Sequence, residues 1–220
     1  QKFKNPKTVQ LMNRYATYNG SNPYRTPAMM SMIPHLEHGI GAYMPKEGMH
    51  QITRALGDLM KKCGIKVHLN APVDQIVVEN NRAVGVEVKG VRFNSDVVVS
   101  NVDAYFTYHH LLKGLPFPAK VLNQERSSSA IIFYWGMGKT FPEMDVHNLF
   151  FSNDYQKEFS GLFDTHELAD DLTVYVNITS KVVTADAPQG KENWFVMVNA
   201  PRTGASPTAW WRRCSSRPRW

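Results

Sequence analysis

The order of sequence patterns over residues 44–104 constrains the fold of this chain most strongly. It begins with a turn at Gly48, followed by apolar residues at helical spacing up to Cys63 and by Gly64, a typical helix terminator. Short apolar segments that predict strands follow at residues 65–69, 73–79, 83–88 and 97–99. This order is typical of the second half of a nucleotide-binding α/β domain. The half that carries the phosphate-binding glycines is missing from the pattern, so we expect an interior part of a larger enzyme.

Two details predict how these strands pair. Residues 73–79 and 83–88 are separated by Asn80-Asn81, a pair that tolerates positive φ and therefore predicts a hairpin. The continuous apolar run at residues 97–99 predicts a strand covered on both faces, as in a parallel sheet.

The segments on either side differ in character. Residues 6–18 and 28–36 carry apolar side chains at helical spacing, and the second segment contains three methionines. Strands rich in large aromatic and aliphatic side chains are predicted at residues 129–135, 149–151, 172–178 and 194–198. We therefore divide the chain into a helical part (1–43), the α/β segment (44–104), a second sheet (105–200) and a basic tail (201–220).

The net charge of +6 is concentrated in that tail. Five arginines and no acidic residue lie there, which leaves +1 for residues 1–200. A nucleic-acid-binding protein carries its charge on a folded face or helix, whereas the tail has no helical or strand periodicity. We expect no nucleic-acid partner, and we interpret residues 201–220 as out-of-frame sequence or a truncation scar.

The sequence predicts neither a metal site nor a catalytic residue. His35 and His38 flank Glu37, but the metalloprotease pattern needs two histidines four positions apart on one helix face. We expect a structural polar role for these residues. No residue stands out as a general base, so the catalytic residues are left unassigned.

Several longer motifs resemble the bacterial-type carotenoid (phytoene-type) desaturases over essentially all of residues 1–200. The motifs are N-R-Y-A-T-Y-N-G-S-N-P-Y (13–24), I-P-H-L-E-H-G-I-G (33–41), P-K-E-G-M (45–49), V-V-S-N (98–101) and E-R-S-S-S-A-I-I-F-Y-W-G (125–136). The second and the last look most like the subgroup that introduces the 3,4 double bond into 1-hydroxylated carotenoids.

The resemblance implies an α/β fold, α+β overall. A partial FAD-binding domain of the two-dinucleotide-binding type, made of a helix and a β-meander, would carry most of an inserted mixed-sheet substrate domain. It also implies FAD as cofactor, a hydrophobic carotenoid as substrate and removal of two hydrogens from a carbon–carbon bond. Because carotenoids dissolve in bilayers, we expect peripheral association with the membrane surface on the bacterial cytoplasmic side, and no activity from this part of the enzyme alone.

The family pattern suggests cofactor-binding residues. It places the backbone of a valine at the start of the meander, here Val73, against the adenine. The glycine pair of its P-x-G-G-M turn packs close to the flavin, and Gly48 matches its second glycine, while Glu47 replaces the first. Ser100 and Asn101 end the buried strand at the sheet edge where such folds bind the nucleotide.

Substrate-lining candidates come from the methionine-rich and aromatic segments. A carotenoid needs apolar walls that exclude water, and methionine and aromatic side chains provide them. The candidates are Met29, Met30, Met32, Phe133, Tyr134 and Trp135. For each residue alone, ordinary core packing is the alternative interpretation.

Other functions stay open at this point. Within the same fold, the alternatives are a phytoene desaturase, a carotenoid isomerase, a retinoid saturase or an amine oxidase. From another class, the alternative is a non-catalytic carotenoid- or lipid-binding module.

Overall fold

The computed structural model describes residues 3–202, except for the side chain of Val121. These residues form two compact units: residues 3–54 with 126–202 belong to the first, and Ala55–Glu125 is the second. The basic tail lies outside the described residues from position 203 onward, so its interpretation as out-of-frame sequence stays a prediction.

The N-terminal part of the first unit is helical, as its apolar spacing predicts. Helix α1 spans Pro6–Asn13, and the Asn5 side chain caps it by accepting a hydrogen bond from the Lys7 N–H. A 3₁₀ turn, Arg14–Asn19, continues the helix. Gly20 ends it in the left-handed conformation, which confirms the predicted stop.

The predicted helices at residues 28–36 and 49–63 are also confirmed. The first is a 3₁₀ turn, Ala28–Ser31, that leads into helix α2, Met32–Gly39. The second is helix α3, His50–Lys62, which is followed by Gly64 at a φ of 70°. The division between the two units falls within α3.

The second unit is built on a three-stranded antiparallel meander. Its strands are β1 (Gln75–Glu79), β2 (Arg82–Val88) and β3 (Val91–Asn94). Asn80 and Asn81 have φ angles of 49° and 61°, which confirms the predicted hairpin turn. Its later helical segments are short: α4 (Ala104–Phe106), a π-helical turn (Thr107–Leu111) and α5 (Ala119–Leu122).

Two predicted strands of the second unit do not form within the described residues. Residues 65–69 and 97–99 are irregular and pair with no strand among residues 3–202. Val97 and Val99 are 75% and 88% exposed, although the pattern predicts a buried strand. A strand exists only through hydrogen bonds to a neighbour. Because no neighbour is available here, both strand predictions are wrong for this structure.

The first unit contains a four-stranded sheet in the order β4-β7-β6-β5, with all neighbours antiparallel. Its strands are β4 (Ser129–Met137), β5 (His147–Phe150), β6 (Val174–Asn177) and β7 (Glu192–Ala200). All four predicted aromatic-rich strands are therefore confirmed. Helix α6, Tyr155–Ser160, lies between β5 and β6 in the chain.

The two faces of this sheet have different roles. One face, the core face, packs Val176 and Val196 into a buried cluster with Phe133 and Trp194. The opposite face, which we call the aromatic face, carries Tyr134, Tyr175 and Phe195 together with Ile132 and Met197. Because successive side chains alternate along a strand, each residue belongs to one face only.

Candidate functional site

The aromatic face is a row of rings that crosses the sheet. The Tyr134 ring centroid lies 5.5 Å from that of Phe195, and the Phe195 centroid lies 6.4 Å from that of Tyr175. Tyr134 is 81% exposed, and Ile132 on the same side of β4 is also exposed. This row offers a broad apolar surface to an elongated apolar molecule.

The three consecutive aromatic residues predicted to line the substrate lie on two faces. Phe133 packs against the core cluster, and its ring centroid lies 5.8 Å from that of Trp135 on the same face. Tyr134 lies on the aromatic face, opposite Phe195. Strand alternation prevents all three from lining one surface. The contact of each with a substrate stays a prediction.

The methionines predicted to line the substrate lie at the start of the second helical segment. The Asn19 side-chain amide donates a hydrogen bond to the Met30 sulfur at 3.3 Å. Met29 and Met32 are mostly exposed. Their contact with a substrate stays a prediction.

A polar cluster links the 3₁₀ turn after α1 to helix α2. The Tyr18 hydroxyl donates to one Glu37 carboxylate oxygen at 2.9 Å, and the Tyr15 hydroxyl donates to the other at 3.4 Å. The Tyr15 oxygen also lies 2.9 Å from His38 Nε2. The two tyrosine rings stack with centroids 5.6 Å apart. Glu37 is therefore oriented by two phenols on one helical face.

Burial and the Glu37 carboxylate keep these phenols protonated. Partial burial is the main cause that raises the pKa of Tyr18 to about 12, and the hydrogen bond to Glu37 and its negative charge add to it. Burial, followed by the Glu37 charge, also raises the pKa of Tyr15. Both hydroxyls thus remain hydrogen-bond donors at neutral pH.

Arg14 joins this cluster to the aromatic face. Its guanidinium carbon lies 5.9 Å from the centre of the Tyr175 ring, within the range of a cation–π contact. The Tyr175 hydroxyl lies 2.8 Å from His147 Nδ1. Burial raises the pKa of Tyr175, the Arg14 charge opposes this, and the Glu37 charge adds to it. Arg14 and Glu37 therefore both act electrostatically on one phenol.

The Arg14 side chain is incompletely satisfied. Its Nε–H is buried without a hydrogen-bond partner, and so is the hydroxyl of Tyr155. Within residues 3–202 we find no hydrogen bond and no ion pair from the Arg14 guanidinium. An unpaired buried donor costs about 1–3 kcal/mol, so Arg14 is a place where a bound oxygen atom would be favourable.

This cluster is not predicted from the sequence, although its residues lie in two of the motifs. Arg14, Tyr15 and Tyr18 lie in the motif at residues 13–24, and Glu37 lies in the motif at 33–41. The available signal was the three-residue spacing of Tyr15 and Tyr18, which places both on one helix face. Their convergence on Glu37 depends on the chain reversal between the two helices.

Two buried carboxylates have structural partners instead. Glu158 is fully buried and accepts hydrogen bonds from Ser152 Oγ and Thr173 Oγ1, both at 2.7 Å. Glu192 is 3% exposed and pairs with Lys181 at 2.8 Å. Both groups are satisfied by the fold itself, so neither is a candidate for substrate chemistry.

The residues predicted to bind the cofactor are divided between the units, since Val73, Ser100 and Asn101 belong to the second and Gly48 to the first. Val73 is partly exposed just before β1, and we find no hydrogen bond of its backbone within residues 3–202. Ser100 Oγ lies 2.9 Å from Thr107 Oγ1, and Asn101 is exposed beside it. A free valine backbone fits an adenine contact.

Gly48 and Glu47 form the turn before α3. Gly48 has a φ of 88°, a conformation that favours glycine, and a Cβ atom at this position would have nothing within 4 Å. The Glu47 carboxylate accepts a hydrogen bond from the Gln51 amide at 2.6 Å, along the first turn of α3. Glu47 is thus held by its own helix, and the open space at Gly48 fits a closely approaching cofactor.

Residues 3–202 contain neither a group of metal ligands nor a membrane-spanning helix. Three or more histidine, cysteine, aspartate or glutamate side chains grouped as metal ligands were not found in this part of the chain. Its helices include none of the length and apolarity required to span a membrane.

Comparison with known proteins identifies the family. The sequence pattern of the family described as flavin containing amine oxidoreductase matches residues 1–193. The chain belongs to this flavin amine oxidoreductase family. The match covers both described units, so a flavin is the cofactor type expected for the protein as a whole. The predicted class, an α/β fold with a partial flavin-binding domain, is confirmed.

Three relatives of this chain are named as two desaturases and an oxygenase. A 1-hydroxycarotenoid 3,4-desaturase from Flavobacterium sp. (strain P99-3) is 51% identical over 91% of this chain and 41% of its own length. A phytoene desaturase from Fusarium fujikuroi is 32% identical over 82% of this chain and 32% of its own. A 4,4'-diapolycopene oxygenase from Methylomonas sp is 30% identical over 90% of this chain and 40% of its own. The chain thus spans less than half the length of these relatives.

A solved structure supports the fold of this chain. An oxidoreductase from Methanosarcina mazei matches with a TM-score of 0.68 and 16% identity, over 97% of this chain and 47% of that protein. At this identity, the similarity concerns the fold alone.

Proposed function

We propose that the full-length protein is an FAD-dependent carotenoid desaturase that introduces the 3,4 double bond into a 1-hydroxycarotenoid. The observation that carries the proposal is the 51% identity, sustained over 91% of this chain, to an enzyme of that name. Relatives named phytoene desaturase are about 30% identical, which makes phytoene the less favoured substrate.

The residues of this chain would bind both reactants. The free backbone of Val73 and the open turn at Gly48 would contribute to FAD binding, and so would Ser100 and Asn101. When bound, FAD supplies a two-electron acceptor for the hydrogen that leaves the substrate as hydride.

The substrate would lie along the aromatic face. Tyr134, Phe195 and Tyr175 offer an apolar row that matches a long polyene and displaces water from it. Water must be excluded because the reacting carbon–hydrogen bond has to lie against the cofactor. Water at that place would allow competing proton transfer. The protein's own contribution is therefore orientation and exclusion of solvent.

We also propose peripheral association with the membrane surface on the cytoplasmic side of a bacterium, because the substrate is extracted from a bilayer. Co-sedimentation of the full-length protein with liposomes tests this. Recovery of the protein in the supernatant, with and without carotenoid in the liposomes, would contradict it.

The proposed reaction is tested with the full-length protein, FAD and purified carotenoids. A 1-hydroxycarotenoid should lose two hydrogens by mass and show a red-shifted absorption, whereas phytoene should stay unchanged. Isomerisation without mass change would indicate a carotenoid isomerase, and added oxygen would indicate an oxygenase. Conversion of phytoene would indicate a phytoene desaturase, and hydrogenation of a retinoid would indicate a retinoid saturase. Stoichiometric carotenoid binding without FAD would indicate a non-catalytic binding protein.

A further inference from the structure

We propose that Arg14 and Glu37 form the subsite that binds the terminal hydroxyl group of a hydroxylated carotenoid. Arg14 would donate a hydrogen bond to the hydroxyl oxygen, and Glu37 would accept the hydroxyl hydrogen. This inference rests on the proposed function and adds to it the residues that decide between hydroxylated and unhydroxylated chain ends.

The first support is the unused donor capacity of Arg14. Within residues 3–202 its guanidinium has no hydrogen-bond acceptor and no ion-pair partner, and its Nε–H is buried. The contact with the Tyr175 ring fixes the guanidinium plane but satisfies none of its N–H groups. An oxygen atom of the ligand would provide the missing acceptor.

The second support is the remaining acceptor capacity of Glu37. Tyr15 and Tyr18 each donate one hydrogen bond to it, whereas a carboxylate offers about four lone-pair positions. These two phenols hold the carboxylate in place, and Arg14 and Glu37 form no ion pair in the described part of the chain. Arg14 therefore remains available as a donor and Glu37 as an acceptor. A hydroxyl group needs both, because it accepts one hydrogen bond and donates another.

The third support is position. Arg14 lies over the Tyr175 ring at one end of the aromatic face, and Glu37 accepts hydrogen bonds from Tyr15 and Tyr18, which belong to the same 3₁₀ turn as Arg14. The row from Tyr134 through Phe195 is apolar, and it becomes charged at Arg14. A polyene that ends in a hydroxyl group is likewise apolar along its length and polar at its end. An unhydroxylated end would leave Arg14 unsatisfied.

Binding the hydroxyl would also select the bond that reacts. In a 1-hydroxycarotenoid the hydroxyl-bearing carbon is two bonds from C3, so the group that holds the hydroxyl also fixes the position of the C3–C4 bond. Precise placement of a reacting bond is a large contribution to catalysis. Arg14 is therefore expected to affect both substrate choice and rate.

The test compares three substrates in the full-length FAD enzyme: a carotenoid with a 1-hydroxyl group, its 1-methoxy derivative and the parent with hydrogen at C1. The wild type should prefer the hydroxyl compound over the parent by about 10- to 100-fold in kcat/KM, the value of a charge-assisted hydrogen bond. The methoxy derivative keeps the acceptor oxygen but lacks the donor, so its kcat/KM should lie between the two.

Three variants separate the roles of the residues. Arg14→Gln should lower kcat/KM for the hydroxyl compound by about 10- to 100-fold more than kcat/KM for the parent, which removes the preference. Glu37→Leu, which removes the acceptor, should abolish the preference for hydroxyl over methoxy and retain the preference for methoxy over hydrogen. Arg14→Lys, which keeps a charged donor, should restore part of the activity with the hydroxyl compound.

A matched control is Arg25→Gln. Arg25 also lies over an aromatic ring, that of Phe163 at 5.5 Å, but its charge pairs with Asp164 at 3.6 Å. This variant should keep the wild-type preference. FAD content and the midpoint of thermal unfolding are measured for every variant. If Arg14→Gln does not fold, the proposal is tested with Arg14→Lys and with the three substrates on the wild type.

The outcomes distinguish the two proposals. A wild type that desaturates none of the three substrates contradicts the proposed function. A wild type that desaturates hydroxyl and parent compounds equally, or an Arg14→Gln variant that slows both by the same factor or keeps the preference, overturns the hydroxyl subsite alone.

Discussion

At the scale of single residues, Glu192 shows how a buried charge stabilises this fold. It lies in β7, almost fully buried, and accepts hydrogen bonds from the Phe141 N–H at 3.0 Å and the Trp194 indole N–H at 2.9 Å. Lys181 pairs with it at 2.8 Å. Burial opposes ionisation of Glu192, but these hydrogen bonds and the Lys181 charge outweigh it, so the pKa of Glu192 lies below its usual value.

We expect Glu192→Gln to lower the free energy of unfolding by about 2–3 kcal/mol at pH 7, because Lys181 loses its partner in a mostly buried position. Urea unfolding of the full-length protein measures this. The exposed residue Glu143 provides the control, since Glu143→Gln should change stability by less than about 0.5 kcal/mol. Equal losses in both variants would contradict a special role for Glu192.

The same pair predicts a pH dependence. Because the pKa of Glu192 is lower in the folded than in the unfolded protein, its stabilisation is complete above the unfolded pKa, about 4.3. It is lost as the pH falls through the folded pKa. The stability difference between wild type and Glu192→Gln should therefore shrink below about pH 4. A difference that grows on acidification would contradict the assignment.

At the scale of elements, local patterns predicted the regular structure well where a partner was available. The helices at residues 6–18 and 50–62, the hairpin at Asn80-Asn81 and the aromatic-rich strands all form. Residues 65–69 and 97–99 have strand-like patterns but remain irregular. Apolar alternation is a property of the segment itself, whereas strand formation requires a neighbour that the segment does not contain.

A close backbone contact inside the meander of the second unit makes a sharp prediction. Gly85 has a φ of 156°, opposite the irregularity between Val77 and Val78, and a Cβ atom there would lie 2.1 Å from the Phe93 carbonyl oxygen. We expect Gly85→Ala to lower the free energy of unfolding by at least about 3 kcal/mol, because β2 and β3 must separate. Chemical denaturation of the full-length protein measures the loss.

Gly90 provides the matched control in the same meander. It has a φ of 74°, and a Cβ atom at this position would have nothing within 4 Å. Gly90→Ala should therefore cost only the backbone strain, about 1 kcal/mol. If Gly85→Ala is no more destabilising than Gly90→Ala, the close approach to the Phe93 carbonyl does not contribute to the loss of stability, and the prediction is contradicted.

At the scale of the whole molecule, the uncovered apolar surface is the main feature of the second unit. Leu69, Val97 and Val99 are more than 70% exposed, and the apolar residues of α3 are about half exposed. Monomeric proteins rarely leave large apolar patches in water. We propose that segments of the full-length protein beyond this chain cover it, in agreement with the length of the relatives.

We expect the 220-residue chain by itself to bind FAD at least about 100-fold more weakly than the full-length protein, because it spans less than half the length of its relatives. It should also bind the dye ANS strongly through its uncovered apolar surface. Flavin fluorescence titration and ANS fluorescence measure the two effects. A tightly bound, yellow, monomeric flavoprotein made of these 220 residues would contradict this prediction.

The sequence by itself determined the local elements, the motifs that carry the resemblance and, through them, the family. Periodicity, helix-terminating glycines and turn residues act over a few positions, so they can be recognised in the printed chain. It also pointed to Val73 and Gly48, whose surroundings fit a cofactor, although their contact with FAD stays a prediction.

Only the tertiary structure decided which side chains share a surface. It brought Tyr134, Phe195 and Tyr175 together on the aromatic face, and it placed Arg14 on Tyr175, which lies 161 positions further along the chain. Such pairs depend on how the sheet is ordered and on where the helices reverse, and neither is encoded within a short segment. The charged end of the aromatic face is therefore a product of chain folding, while the residues that form it were present in the motifs from the start.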